Sequence, residues 1–305
     1  MNNDITYSII IPHKNSQTLL RRCLSSIPIR KDVQVIVVDD KSDDFELVRD
    51  VVGTFPQILL CVNEGKGAGG ARNTGLTKAL GKWLLFADCD DYYVDGFLEE
   101  LDKYVYSEYD VIYFNFYQYI EGKEKPVYEK VCNYIKKCAE GSLSIDYVKY
   151  KNNAPWCKMV RRSFINLFQI HFEEIPKAND KYFSYQLGYF CRNYKVIDCC
   201  LYNYIFYKKS QTRSNWTEEK IRNYVYNRYK SNGFWQYVNH PEWKHGFAYF
   251  VVNALQMKDL YLFYKILVYF LCHYRDLKEV EATYPQMIEA QKRIFQKRTS
   301  SQEMI

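Results

Sequence analysis

No stretch of this 305-residue chain approaches eighteen uninterrupted apolar residues, so no transmembrane helix is predicted. The first residues, Met1-Asn2-Asn3-Asp4, lack the basic and apolar regions of a signal peptide, and the protein is expected in the cytoplasm. Ten cysteines include the vicinal pair Cys199-Cys200 but no C-x-x-C, which argues against both a zinc site and a disulfide framework. They read as reduced and mostly buried. The five histidines show no H-x-x-H or H-E-x-x-H spacing, and no serine-centred nucleophile motif stands out. Internal repeats and low-complexity linkers are absent too. What the chain has in excess is tyrosine, thirty in all, chiefly after position 92. The net charge of +6 is also uneven: from 201 to 305 sixteen Lys/Arg stand against nine Asp/Glu, and the first 200 residues balance at −1.

Two acidic clusters stand where apolar runs end, Val35-Ile36-Val37-Val38-Asp39-Asp40 and Trp83-Leu84-Leu85-Phe86-Ala87-Asp88-Cys89-Asp90-Asp91. An apolar run of about five residues reads as a buried parallel strand, and carboxylates at the carboxyl ends of such strands face the crevice where open α/β sheets bind ligands. Tyr7 to Ile11, Val33 to Val38, Ile58 to Val62 and Trp83 to Ala87 are predicted strands. Helical spacing at Ser16 to Ile27 and a short helix at Ala71 to Leu80 fall between them. The alternation predicts an α/β fold with a parallel, doubly wound sheet. A further aromatic strand at Val111 to Tyr119 and a polar stretch at 121–144 follow, then helical and irregular segments to about 215. Past Trp216 the pattern is helical throughout. The domains expected are 1–215 and 216–305.

Gly65-Lys66-Gly67-Ala68-Gly69-Gly70 satisfies G-x-G-x-x-G after a strand and before a helix, as a dinucleotide site would. A complete βαβ unit with its own acidic tip precedes it, however, and the ribose-binding role needs one carboxylate rather than the three of Asp88-Cys89-Asp90-Asp91. The nicotinamide or flavin reading is therefore set aside.

Ser8-Ile9-Ile10-Ile11-Pro12-His13-Lys14-Asn15, Val37-Val38-Asp39-Asp40-Lys41-Ser42, Gly70-Ala71-Arg72-Asn73-Thr74-Gly75-Leu76 and Asp88-Cys89-Asp90-Asp91 occur in that order. Over residues 5–215 the chain thereby resembles family 2 glycosyltransferases of the GT-A fold. The resemblance implies a GT-A catalytic domain, a Rossmann-like, mostly parallel sheet flanked by helices, followed here by a helical C-terminal extension. It also implies inverting transfer of a sugar from a nucleotide-sugar, usually UDP-linked, to an acceptor hydroxyl with help from Mn²⁺ or Mg²⁺.

The chemistry asks for such residues independently, because a nucleoside diphosphate gains negative charge as it leaves and a hard cation bound by carboxylates offsets it. By resemblance Asp90 is the direct metal ligand, Asp88 reaches the ribose or the metal, and Asp91 stands in reserve. Asp40 accepts a hydrogen bond from the uracil N3–H, Pro12 contacts the base, and Asp39 holds the strand–loop junction. Arg72 at a helix start can pair its planar fork with phosphate, with Asn73 beside it. The base that deprotonates the acceptor is expected at Asp180 in Ala178-Asn179-Asp180-Lys181, with Glu173 and Glu174 as fallbacks and Asn179 in place of the usual Glu. Pro155-Trp156-Cys157-Lys158 resembles a segment beneath the acceptor: Trp156 offers a ring for a sugar or packs in the core, and Lys158 a cation near the phosphates.

The expected partners are a nucleotide-sugar donor and a saccharide or lipid-linked saccharide acceptor in surface polysaccharide or glycolipid synthesis, with no nucleic acid. A sugar-phosphate nucleotidyltransferase shares strand-tip carboxylates, but its first strand should lead into a Gly-rich loop rather than Pro12-His13. A non-catalytic carbohydrate-binding protein would need neither cation nor base. In the tail, Leu260 to Cys272 is too short and too Tyr-rich to span a bilayer, so it lies at a surface or packs inside. With the basic pairs Lys292-Arg293 and Lys297-Arg298 it would make a peripheral contact with the inner membrane face.

Overall fold

The computed structural model describes residues 5–56, 58–127, 130–207, 217–256 and 260–302. Tyr7–His13 (β1) is buried along its whole length, as befits the middle of a sheet covered on both faces. Gln17–Ser25 (α1) turns Leu20, Cys23 and Leu24 inward. Val33–Asp39 (β2) pairs with β1 in parallel, Tyr7 opposite Val33 and His13 opposite Asp39. Phe45–Gly53 (α2) follows, N-capped by Asp44, whose carboxylate accepts from Leu47 N. Ile58–Val62 (β3), Gly67–Lys78 (α3) and Trp83–Phe86 (β4) complete the first half.

These four strands lie in the order β3-β2-β1-β4, all parallel. The chain steps outward from β1 to β3 and then crosses back to the far side of β1, which makes the topological switch point at which such sheets bind ligands. The tips of β2 and β4 carry the two acidic clusters to that crevice.

The second half is mixed. After Tyr92–Tyr93 (β5) and Phe97–Asp102 (α4), Val111–Ile120 (β6) is the expected aromatic strand. Lys130–Ala139 (α5) and Asp146–Lys151 (α6) lead to Lys158–Arg161 (β7), then Arg162–Phe168 (α7), Asp180–Phe190 (α8) and Tyr194–Phe206 (β8). The full order is β3-β2-β1-β4-β7-β6-β8-β5, with β7 antiparallel to both neighbours. Two of these strands, β7 and β8, lie where the sequence suggests helical and irregular segments. The thirteen-residue β8 pairs with β6 in parallel, but its register shifts around Asn115, which breaks the period-2 burial that would betray a strand.

The chain divides into two units, Met1–Ser210 and Gln211–Ile305. The expected boundary at 215/216 lies outside the described residues. The second unit consists of Glu218–Tyr237 (α9), Phe247–Gln256 (α10), Leu260–Glu281 (α11) and Thr283–Gln302 (α12), with a short 3-10 turn at Pro241–Trp243. Ile221, Val225, Phe250, Ile266, Phe270 and Leu277 form its core. α11 is interrupted at His273, whose φ of −121° and ψ of 17° leave the helical region. Along α11, Tyr261, Tyr264, Val268 and Leu271 are exposed while Ile266 and Phe270 are buried, so the apolar tail segment both packs inside and keeps a free stripe. The side chains of Leu260, Leu262, Lys297 and Arg298 lie outside the described set. Among the described residues no helix is long and apolar enough to cross a membrane. All ten cysteines are free; four are buried, five half-buried and Cys272 exposed, so they are less sequestered than expected.

Candidate active site

At the tip of β2 the two aspartates part company. Asp39 is buried and accepts from the Ser42 main-chain N–H at 2.8 Å and the Ser42 hydroxyl at 2.5 Å, with His13 Nδ1 at 2.9 Å. Ser16 N–H donates to His13 Nε2 at 3.1 Å, which leaves the ring proton on Nδ1 facing Asp39. Burial pushes the Asp39 carboxyl up, but the Ser42 and His13 contacts outweigh it and hold the group below the usual range. It therefore braces the junction, as expected. Asp40 faces the crevice half-buried. Asn63 Nδ2 donates to its Oδ1 at 2.6 Å, and Lys14 Nζ lies 3.6 Å from its Oδ2. Asn63 is itself fixed: Nδ2 also reaches Gly67 O at 3.1 Å, and Oδ1 accepts from Gly65 N at 2.8 Å. Pro12 is buried in β1 opposite Val38.

The glycines after β3 answer to the protein's own backbone. A Cβ on Gly69 would stand 2.0 Å from the Glu173 carbonyl oxygen, so the segment entering α8 runs against the first turn of α3 with no room for a side chain. Asn73 holds the same segment by a reciprocal pair, accepting from Phe172 N at 2.8 Å and donating to Phe172 O at 3.0 Å. Glu174 Oε2 accepts from Lys66 N at 3.1 Å. Asn73 and Glu174 are thus engaged in this strap.

Arg72 is only 6% exposed. Its Nη2 donates to Asp88 Oδ1 at 2.5 Å and its Nη1 to Asn179 Oδ1 at 2.9 Å, while the cation lies 5.4 Å from the Phe172 ring centroid. One planar fork thereby joins the tip of β4 to the residue that precedes α8.

Carboxylate oxygens of Asp88, Asp90 and Asp91 all lie within 4.8 Å of one another. Asp91 is spoken for, accepting from Ile205 N at 2.7 Å and from the Tyr202 hydroxyl at 3.2 Å. The Tyr202 hydroxyl in turn accepts from Asp88 N at 2.9 Å. Burial, and then the Asp88 charge, push the Asp90 carboxyl up to about 6. A crowded set of oxygen donors whose mutual repulsion the Arg22 and Arg72 charges offset only in part, leaving Asp90 raised, fits a hard divalent cation. Asp88 and Asp90 would hold it. Asp180, half-buried at the start of α8, is also raised by burial, against the pull of the Arg72 charge. Glu173 N donates to Asn179 O at 3.2 Å, which closes the turn ahead of Asp180.

Trp156 and Lys158 correct their expectation. Trp156 is 7% exposed, stacked on Tyr202 at 4.8 Å and Tyr204 at 5.4 Å, with Phe116 edge-on at 4.6 Å, so its ring packs in the core. Lys158 is fully buried; its Nζ donates to Asn152 O at 2.9 Å and to Ala154 O, and burial pulls its pKa down. Neither presents a face to an acceptor. Trp156 acts on the site through Tyr202, whose hydroxyl holds Asp88 and Asp91. Sequence reasoning missed Asn63 and Tyr202. An Asn at a strand tip before Glu-Gly was the available signal for the first; the second required seeing β8.

The glycosyl transferase family 2 model matches residues 8–168. Among known proteins, the putative glycosyltransferase EpsH of Bacillus subtilis (strain 168) is 24% identical over 213 residues, 65% of this chain. WfgD of Escherichia coli, a UDP-Glc:alpha-D-GlcNAc-diphosphoundecaprenol beta-1,3-glucosyltransferase, is 30% identical over 158 residues, 47% of this chain. The match spans 60% of each of these relatives. Staphylococcus aureus TarS 1-349 in complex with UDP-GlcNAc superposes with a TM-score of 0.61 over 94% of this chain and 91% of that one, at 18% identity, which is a likeness of fold.

Proposed function

Given that the chain belongs to glycosyl transferase family 2 and is a glycosyltransferase, we propose that it moves a sugar, with inversion, from a UDP-sugar to a hydroxyl of a saccharide or lipid-linked saccharide acceptor. Membership replaces the nucleotidyltransferase and non-catalytic alternatives. The observation that carries the reading is the Arg72 fork. By bonding Asp88 and Asn179 together it puts the cation-type cluster and the Asp180 carboxyl in one crevice at the strand tips.

In this reading Asp40, its carboxylate aimed by Asn63, accepts from the uracil N3–H, and Pro12 lines the base. Asp90 and Asp88 hold Mn²⁺ or Mg²⁺, which when bound neutralises charge on the departing diphosphate. Arg72 adds a second positive charge beside the same oxygens. Asp180 takes the acceptor proton; a carboxyl raised by burial is a stronger base than a solvated one, and its position at the opening of α8 leaves it at the crevice edge. Asn73 keeps the α8 approach in place rather than touching the donor.

The acceptor class draws on WfgD, whose name specifies a diphosphoundecaprenol-linked sugar. An acceptor of that kind would put the enzyme at the inner face of the membrane, making surface polysaccharide or glycolipid. A nucleotide-release assay over UDP-, GDP- and dTDP-sugars tests the donor. Turnover confined to UDP-sugars is expected; a preference for GDP-sugars overturns the role given to Asp40, whereas a preference for dTDP-sugars, whose thymine carries the same N3–H, overturns the uridine donor alone.

A further inference from the structure

Arg22 stands in the last turn of α1 and reaches the acidic turn by a route that α3 does not use. Its Nη2 donates to the main-chain carbonyl of Asp90 and, at 2.9 Å, to the hydroxyl of Tyr207. Tyr207 in turn donates to the same carbonyl at 3.2 Å. The guanidinium carbon lies 5.0 Å from the centroid of the Tyr92 ring, so an aromatic face and two oxygens hold the fork in place. Its Nε is buried without a hydrogen-bond partner. A buried donor left unmatched in this way indicates a side chain held by its other contacts rather than one free to seek a better pose.

We propose that Arg22, with Tyr207, is a positioning residue for the divalent-cation site, gripping Asp90 by its carbonyl and so setting where the Asp90 carboxylate points. The inference rests on the cation reading of Asp88 and Asp90 above. The two arginines divide the work. Arg72 occupies a carboxylate oxygen of Asp88, whereas Arg22 takes the carbonyl of Asp90 and leaves that residue's carboxylate oxygens to a cation. The turn itself is closed on its other side by Asp91 N–H donating to Asp88 O at 3.0 Å. The Asp90–Asp91 peptide plane is thus tied at its nitrogen by the turn and at its oxygen by Arg22 and Tyr207. With the oxygen released the plane can rotate, and the carboxylate of Asp90 swings with it. Charge-assisted hydrogen bonds are the strong ones, so Arg22 outweighs Tyr207 in this clamp.

The test uses the full chain with Arg22→Met, Arg22→Lys and Tyr207→Phe. Mn²⁺ affinity in the presence of UDP is read by electron paramagnetic resonance of the free ion, and UDP affinity with chelator by calorimetry. Loss of a hydrogen bond from a charged donor predicts Mn²⁺ binding about tenfold weaker in Arg22→Met, with metal-free UDP affinity within about twofold of wild type. Tyr207→Phe should weaken Mn²⁺ less, and Arg22→Lys should recover part of the loss. Turnover of Arg22→Met should approach wild type at saturating Mn²⁺.

Unchanged Mn²⁺ affinity in Arg22→Met overturns the inference. So does a fall in metal-free UDP affinity as large as the fall for Mn²⁺, because that pattern belongs to a structural brace. Should Arg22→Met fail to fold, Arg22→Lys and Tyr207→Phe decide by the same two measurements. A wild type that binds no Mn²⁺ beside UDP ends the cation reading and this inference together, a result distinct from equal binding by wild type and variant.

Discussion

Asp90 and Asp180 are both carboxyls raised by burial, and the roles proposed for them, holding a cation and taking a proton, call for different readouts. Asp90 moves from an ordinary 3.8 to about 6, so its contribution to stability is present in full below its unfolded value and lost as pH rises through about 6. Without metal, the fold should therefore weaken from about pH 4 to about pH 6 as Asp90 is made to ionise beside Asp88. On the proposed cation role, Mn²⁺ would bind the ionised form and should restore that loss. Scanning calorimetry is expected to find a larger rise in Tm with Mn²⁺ at pH 7 than at pH 5; equal rises would remove Asp90 from the site. Asp90→Asn, neutral at every pH, should abolish the Mn²⁺ enhancement of UDP binding. For Asp180 the readout is kinetic. Asp180→Asn should lower kcat by about 10²-fold or more with UDP affinity unchanged, the usual scale for removing acid–base catalysis. Near wild-type turnover of an authentic acceptor would put the base elsewhere.

Among the elements, β1 to β4 were legible because each is a single apolar run stopped by a polar cluster; β1, β2 and β4, covered on both faces, have little else to encode, and β3 keeps its apolar run although it is the half-exposed edge strand. The start of α3 was less so. Spacing suggested Ala71, whereas the helix begins at Gly67, since glycines of poor helix propensity are tolerated where the Phe172–Glu174 segment needs their bare backbone. Gly69→Ala is expected to cost about 1–3 kcal/mol by overpacking, read as a lower urea midpoint, and to reduce activity through the displaced α8 approach. A variant as stable and active as wild type would mean that the segment can yield. The strands β7 and β8 escaped because their identity is non-local: β8 is a strand by virtue of β6, and a shifted register hides its alternation. Trp156 and Lys158 follow from that omission. An aromatic and a cation side by side resemble a surface, and only the tyrosines of β8 and the carbonyls of Asn152 and Ala154 turn them inward. The positions of Asp40, Asp90 and Asp180 at strand tips and at a helix start were readable because motifs set them there, while Asn63 and Tyr202 act through partners the motif does not contain.

For the molecule as a whole, the positive balance of residues 201–305 and the exposed stripe of Tyr261, Tyr264, Val268 and Leu271 on α11 support attachment to an anionic leaflet. Basic residues near such a surface contribute roughly 1 kcal/mol each and are screened by salt. The full chain is expected to float with anionic vesicles at low ionic strength and to sink at high salt; failure to float at low salt would place the acceptor encounter away from the membrane. The sheet order bears on how the protein comes into being. Asp91 acquires its partner N–H from Ile205, 114 positions later, and the outer edge of β4 waits for β7. At about 5–20 residues per second, a growing polypeptide spends on the order of ten seconds with three crowded carboxylates and a bare strand edge before either is covered. Nascent chains stalled with Phe206 still inside the ribosome should be cleaved by added protease around Asp91, and chains stalled after its emergence should resist; protection at the shorter length would reverse the order. Until its last strand arrives, the half-made chain lacks the Ile205 and Tyr202 partners that fix Asp91, so the acidic turn takes its final shape only when β8 is in place.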